Sequence, residues 1–130
     1  MRKYRNLIKK GVNEPLHKVP FHKKAPIKRL SMLSKKMIPQ SDTHIAVHFV
    51  DAEKKLPEYS IPHKHDNDEI NLILSEDSKL KYKIDLEDET YTVTSPCTIF
   101  IPKGLTHSAQ AISGKGMFVC IILSDGHSSK

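Results

Sequence analysis

Pro62-His63-Lys64-His65-Asp66-Asn67-Asp68-Glu69 holds a His-x-His-x3-Glu spacing, and Pro102-Lys103-Gly104-Leu105-Thr106-His107 answers it with Pro-x-Gly-x-x-His. Alternate side chains of a strand point to the same face. His63 and His65 therefore share a face, and an unbulged strand gives Glu69 the same parity. Two imidazoles and a carboxylate turned inward are costly unless something pairs them. A divalent cation meets that need, with His107 as a fourth ligand from a neighbouring strand. The competing reading, histidines on a solvated turn, suits a lone His-x-His. Four matched positions in two separate segments favour the metal.

Outward from these motifs the text is strands and turns. Thr43 to Val50 sets Ile45, Val47 and Phe49 against His44, Ala46 and His48. Residues 58–65 are extended but interrupted by Pro62, and 69–74 form a clear strand. Lys79 to Leu86 alternates, with Leu80, Tyr82, Ile84 and Leu86 opposite Lys79, Lys81, Lys83 and Asp85. Further strands are expected at 90–94, 97–101, 107–112 and 117–123, with turns between them. No helix and no internal repeat stands out. Many short, closely spaced strands predict an all-β sandwich or barrel over residues 43–123, followed by a polar tail at 124–130.

With Glu69 inward, Asn71 and Ile73 also face in, which leaves Ile70, Leu72 and Leu74 facing out. A solvent-facing strand is not written that way. Met117 to Leu123 is apolar on both faces too. These faces predict a cover: a second sheet, the leading segment, or a second subunit. The expectation is a homodimer in which the leading segment crosses to its neighbour.

A length of 130 residues, 38% of them hydrophobic, suits one domain. The net charge of +6 hides an asymmetry. Residues 1–40 carry 12 Lys or Arg against one acid (Glu14), or +11; the rest carries 9 against 14 acids, or −5. The basic character belongs to an N-terminal arm at 1–42. Its first part, 1–26, reads as irregular, with Pro15, Pro20 and Pro26, although Leu7, Ile8, Val12, Leu16, Val19 and Phe21 are enough to pack on something. Residues 27–33 could form a first strand. Lys23, Lys24, Lys28, Arg29, Lys35 and Lys36 could touch phosphates. Phe21 is the one aromatic near them and no nucleic-acid motif appears, so a docking arm with solvated cations is preferred to a nucleic-acid partner. His17, His22, His44 and His48 read as surface or packing residues. Cys97 and Cys120 imply no disulfide framework and are expected reduced and buried. No secretory signal follows the basic start. The longest apolar run, 117–123, is too short to span a membrane, and a cytoplasmic location is expected.

The two motifs resemble those of the single-domain cupins. His63, His65 and Glu69 match the first cupin motif, and Pro102, Gly104 and His107 match the second. The resemblance implies a small jelly-roll barrel over roughly residues 43–123, with His63, His65, Glu69 and His107 as its metal ligands. The chain departs from the pattern at Pro57, Glu76 and Pro96, where the family commonly has glycine, and at Ala111, where it often has Asn. These departures bear on loop geometry and leave the ligand set intact.

Imidazole and carboxylate ligands suit Fe, Mn, Ni, Co or Zn. The lack of a cysteine ligand weighs against a structural zinc site. Four protein ligands on a six-coordinate metal leave two positions for water or substrate. The function expected is a metal-dependent enzyme acting on a small polar metabolite, of isomerase or lyase, decarboxylase or dioxygenase type. The alternative is a non-catalytic small-molecule or carbohydrate-binding module. Asn71 is the catalytic candidate, placed to orient a substrate oxygen, and Ala109 shares its face. Some cupin lyases carry a tyrosine at the position of Asn71, so their mechanism is not carried over. Tyr59, Tyr82 and Tyr91 read as ordinary strand aromatics.

Overall fold

The computed structural model describes residues 3–19, 21–54, 56–77 and 79–123. The polar tail expected at 124–130 lies outside the described residues. Among these residues nine strands follow in order: β1 (Val12–Asn13), β2 (Lys28–Leu33), β3 (His44–Asp51), β4 (Glu69–Leu74), β5 (Lys81–Leu86), β6 (Glu89–Thr94), β7 (Cys97–Ile101), β8 (His107–Ser113) and β9 (Lys115–Ile122). Helical structure among the described residues is confined to two 3-10 turns, Arg5–Leu7 and Leu16–Lys18. No helix there is long and apolar enough to cross a membrane.

The strands form two antiparallel sheets, β1-β2-β3-β9-β4-β7 and β6-β5-β8. The alternation of 79–86 holds: Leu80, Tyr82 and Ile84 are buried, and the lysines point out. Tyr82 stacks on Phe118 of the opposite sheet, ring centroids 4.8 Å apart. Ile73, Ile99, Ile101 and Val50 complete the core between the sheets.

Residues directly opposite one another in an antiparallel pair share a face, so the register writes out the inner wall. One row runs Ser31, Ala46, Cys120, Asn71, Ile99. Four of its five members are small or polar, and side chains of that size cannot fill the space between two sheets about 10 Å apart. The interior stays open along this row. The next row, Arg29, His48, Phe118, Ile73, is bulkier and leads into the core.

The pairing settles the facing of β3. His44, Ala46, His48 and Val50 point in, and Ile45, Val47 and Phe49 lie on the outer face. Ile70, Leu72 and Leu74 share that outer face, as their parity requires. Phe49, Leu74, Phe100 and Met117 on it are between 37% and 53% exposed.

The first strand expected at 27–33 is β2, a full member of the larger sheet. The irregular segment before it is held to the barrel. β1 pairs with Leu30 and Ser31, Leu16 is buried in the core, and Lys23 N–H donates to Tyr59 O at 2.8 Å. Residues 58–65 do not form the expected strand. Pro57 and Pro62 lack the N–H that a ladder needs, and only single bridges form, at Ser60 with His22 and at His63 with His107. The family's glycine positions are met by other turns. Pro96 follows Ser95 through a cis peptide between β6 and β7. After β4, Ser75 Oγ bonds Asp77 and Lys115 O, at 2.7 and 2.8 Å.

Candidate metal centre

The two motifs are brought together by backbone. His63 and His107 exchange N–H···O bonds of 3.0 and 2.8 Å, which adds the first motif to the free edge of β8. Gly104 sits at φ 84°, a left-handed conformation that favours glycine, and its N–H donates to His65 O at 2.8 Å. Asp68 Oδ1 accepts from Lys103 N–H at 2.9 Å. On the other side Glu87 Oε2 accepts from Thr106 N–H at 2.7 Å. The turn that delivers His107 is thus pinned from both flanks.

The ligand nitrogens of His63, His65 and His107 lie within 4.8 Å of one another. Glu69 Oε1 is 3.2 Å from Nε2 of His65 and 3.2 Å from Nε2 of His107. The three histidines therefore converge, and Glu69 Oε1 lies beside two of them. Their orientation is set by the atoms behind them. His63 Nδ1 is 2.6 Å from Ile61 O, and His107 Nδ1 is 2.9 Å from Leu105 O. A carbonyl only accepts, so each Nδ1 carries the proton and each Nε2 presents its lone pair to the centre. Glu69 Oε2 accepts from Asn71 Nδ2 at 2.7 Å and from the Cys120 thiol at 3.4 Å, which leaves Oε1 turned toward the histidines.

This donor set fits a divalent transition metal. Glu69 Oε1 and His107 Nε2 are both buried, and neither has a hydrogen-bond partner. Two buried electron-rich atoms left unmatched side by side call for a positive charge between them. Without a metal, a proton shared by this pair meets the same need. Burial opposes charge on Glu69, but His107, His65 and Asn71 outweigh it and hold its carboxyl well below the usual range. Burial likewise opposes charge on His107, and Glu69 with Leu105 O overrides it to raise the imidazole. His63 is lowered, first by burial, so it stays neutral and free to ligate.

The centre opens into a cavity of about 360 Å³, the size of a small-metabolite site. Asn71, 1% exposed, lines it, and its amide holds Glu69. Tyr59 and Tyr82 are core residues whose hydroxyls burial pushes up, and Tyr91 is exposed on β6. Neither cysteine is in a disulfide; both are half-buried, and Cys120 lies against Glu69.

The opposite wall was not foreseen. His44, His48 and His22, expected at the surface or in packing, line the cavity, and so does Arg29, expected as a solvated cation. Arg29 is 4% exposed and His48 5%. Glu14, Lys18, Val19 and Phe21 supply the remaining side. Phe21 stacks on His63, centroids 4.9 Å apart with the rings nearly parallel. Its φ of 67° is strained for a bulky residue, and Ile61 N–H holds it by donating to Phe21 O at 2.9 Å.

No family model and no curated protein matches the chain. Solved structures do. A cupin-like protein of Thermotoga maritima superposes with a TM-score of 0.63 at 10% identity, covering 90% of this chain and 80% of that one. KdgF of a Halomonas species gives 0.55 at 14%, covering 88% and 86%. Bacillus subtilis oxalate decarboxylase, a protein with Mn(II) centres, gives 0.56 at 14%, covering 91% of this chain and 28% of its own.

Proposed function

The chain has the cupin fold, and on that premise we propose that it is a metal-dependent enzyme acting on a small polar metabolite. The observation that carries the reading is the convergence of three imidazoles and Glu69 Oε1, with two buried polar atoms unmatched at their centre, on an internal cavity. A ligand set of His63, His65, Glu69 and His107 would hold Fe, Mn, Ni, Co or Zn. A metal there supplies Lewis-acid polarisation of an oxygen on the bound molecule. The protein does the rest. Ile61 and Leu105 carbonyls fix the tautomers of His63 and His107. Asn71 and Cys120 hold one carboxylate oxygen so that the other faces the ligand site, which makes Asn71 a positioning residue. Phe21 stacks on His63 at the cavity wall and limits how its ring can turn. Isomerase or lyase, decarboxylase and dioxygenase reactions are the ones to assay.

The test is elemental analysis of the untagged protein beside His63→Ala and His107→Ala. About one equivalent of a transition metal, lost in both variants, supports one site built from both motifs. No metal, and none on reconstitution, removes the reading and leaves a binding module for small molecules or carbohydrates.

The same reading includes a homodimer formed through the outer face of the larger sheet. The exposed apolar row of Phe49, Met117 and Leu74, with Phe100 further along the same face opposite Ile70, supports it.

A further inference from the structure

The cavity has a second pole. Arg29 projects from β2 into it, and a guanidinium this deep is costly unless paired. Among the described residues its one ion pair is with Glu14, Nη1 to Oε1 at 2.7 Å, with Glu14 O a further 3.3 Å contact. Glu14 is brought there by the β1–β2 ladder, whose next bond runs from Glu14 N–H to Arg29 O. Nη2 meets only His44 Nε2, at a long 3.5 Å. A guanidinium offers a planar fork of five N–H groups, matched to a carboxylate, and Glu14 engages one arm of it. Beside it lies His48, whose Nδ1 is buried with no hydrogen-bond partner.

We propose that Arg29, flanked by His44 and His48, binds a carboxylate of the cavity's ligand in competition with Glu14, so that the substrate is a small organic acid. The far end of this assignment rests on the metal reading above; the Arg29 end does not. Charge supports it. Lys18 and Arg29 balance Glu14 and Glu69 on the cavity wall. A divalent ion would leave an enclosed surplus of positive charge, and a low-dielectric cleft focuses such a field on an anion. Spacing supports it as well. His44 pairs with Ile122, and Ile122 with Glu69. His44, which the guanidinium reaches, therefore stands two strand spacings from Glu69, roughly 10 Å between backbones, while Arg29 itself starts one strand further out, opposite His48. An acid of a few carbons bridges that gap, with one carboxylate on Arg29 and other oxygens toward the histidines.

The experiment is calorimetric titration of the full chain, metal-free and loaded with Zn(II), using the linear dicarboxylates from oxalate to adipate and their diamides. At least one diacid should bind more tightly than its diamide. Arg29→Gln should weaken that diacid about 10- to 100-fold, the loss of a charged hydrogen bond, with metal content unchanged. Glu14→Gln, at a half-exposed position, should instead tighten it several-fold by removing the competitor. Equal binding of diacids and diamides, no diacid binding, or diacid binding indifferent to Arg29→Gln overturns the proposal. Should Arg29→Gln fail to fold, Glu14→Gln decides: unchanged or weaker binding overturns it. If the chain takes up no metal, an Arg29-dependent preference for acid over amide in the metal-free protein still supports the Arg29 end while the metal reading falls.

Discussion

Asn71→Leu tests how the centre is held. Leucine has the same number and branching of side-chain heavy atoms as asparagine, so no cavity is opened, but the 2.7 Å bond to Glu69 Oε2 is lost. That bond is charge-assisted and buried, and its loss should cost about 1.5–3 kcal/mol of stability. Glu69 Oε2 then keeps only the weak thiol donor of Cys120, and the carboxylate is free to turn. Partners behind a ligand typically matter tenfold to a hundredfold in metal affinity, about 1.4–2.7 kcal/mol. Competition against a chromophoric chelator reads the affinity, and urea unfolding in the presence of EDTA reads the stability. The argument requires that the effect pass through Glu69. In a Glu69→Ala background, where the three histidines remain, adding Asn71→Leu should change metal affinity less than about twofold, the signature of a coupled pair. Wild-type affinity in the single variant, or the full loss persisting without Glu69, refutes it.

His48 makes the fold sensitive to mild acid. Burial first, then Arg29, pushes its pKa down to about 3, against about 6.5 in an unfolded chain. Between these values the unfolded state binds the extra proton. Stability is therefore full above about pH 6.5 and falls as pH drops, by up to about 1.4 kcal/mol per unit. By pH 5 the wild type should lose about 2 kcal/mol more than His48→Gln, read by urea unfolding at each pH. Gly104→Ala should cost about 1–2 kcal/mol from the left-handed backbone alone, because a Cβ there meets nothing within 4 Å; urea midpoints of the two proteins decide. Phe100→Glu should shift a dimer toward monomer in sedimentation equilibrium, and a wild-type monomer rules out the outer-face interface.

The half of the site that lies in local text was legible. Parity alone placed Glu69, Asn71 and Ile73 inward, and β4 buries those three. The turn at Pro102–Thr106 carried its own chemistry in Gly104. The other half was not legible, because it depends on which face of β3 is the inner one. A strand with Ile45, Val47 and Phe49 on one side and histidines on the other suggests that the aliphatic side is the core. Here the larger sheet is apolar on its outer face, and the polar side of β3 lines a cavity. Arg29 was hidden the same way. Among lysines it reads as one more solvated cation, and only its pairing with His48 turns it inward. The pattern His-x3-His on a strand, with Ala46 between, was the available signal: two imidazoles flanking a small residue on one face leave room for a ligand.

The reciprocal bonds between His63 and His107 join segments far apart in the chain. Contacts of that kind form late, after long loops have closed. The side chains of the two motifs come together only as the barrel shuts. An ion that binds there binds the native state and stabilises it by mass action. Since its contacts are missing at the folding barrier, it acts on the unfolding rate and leaves the folding rate nearly unchanged. A metal bound there would contribute to the lifetime of this protein as a delay in opening.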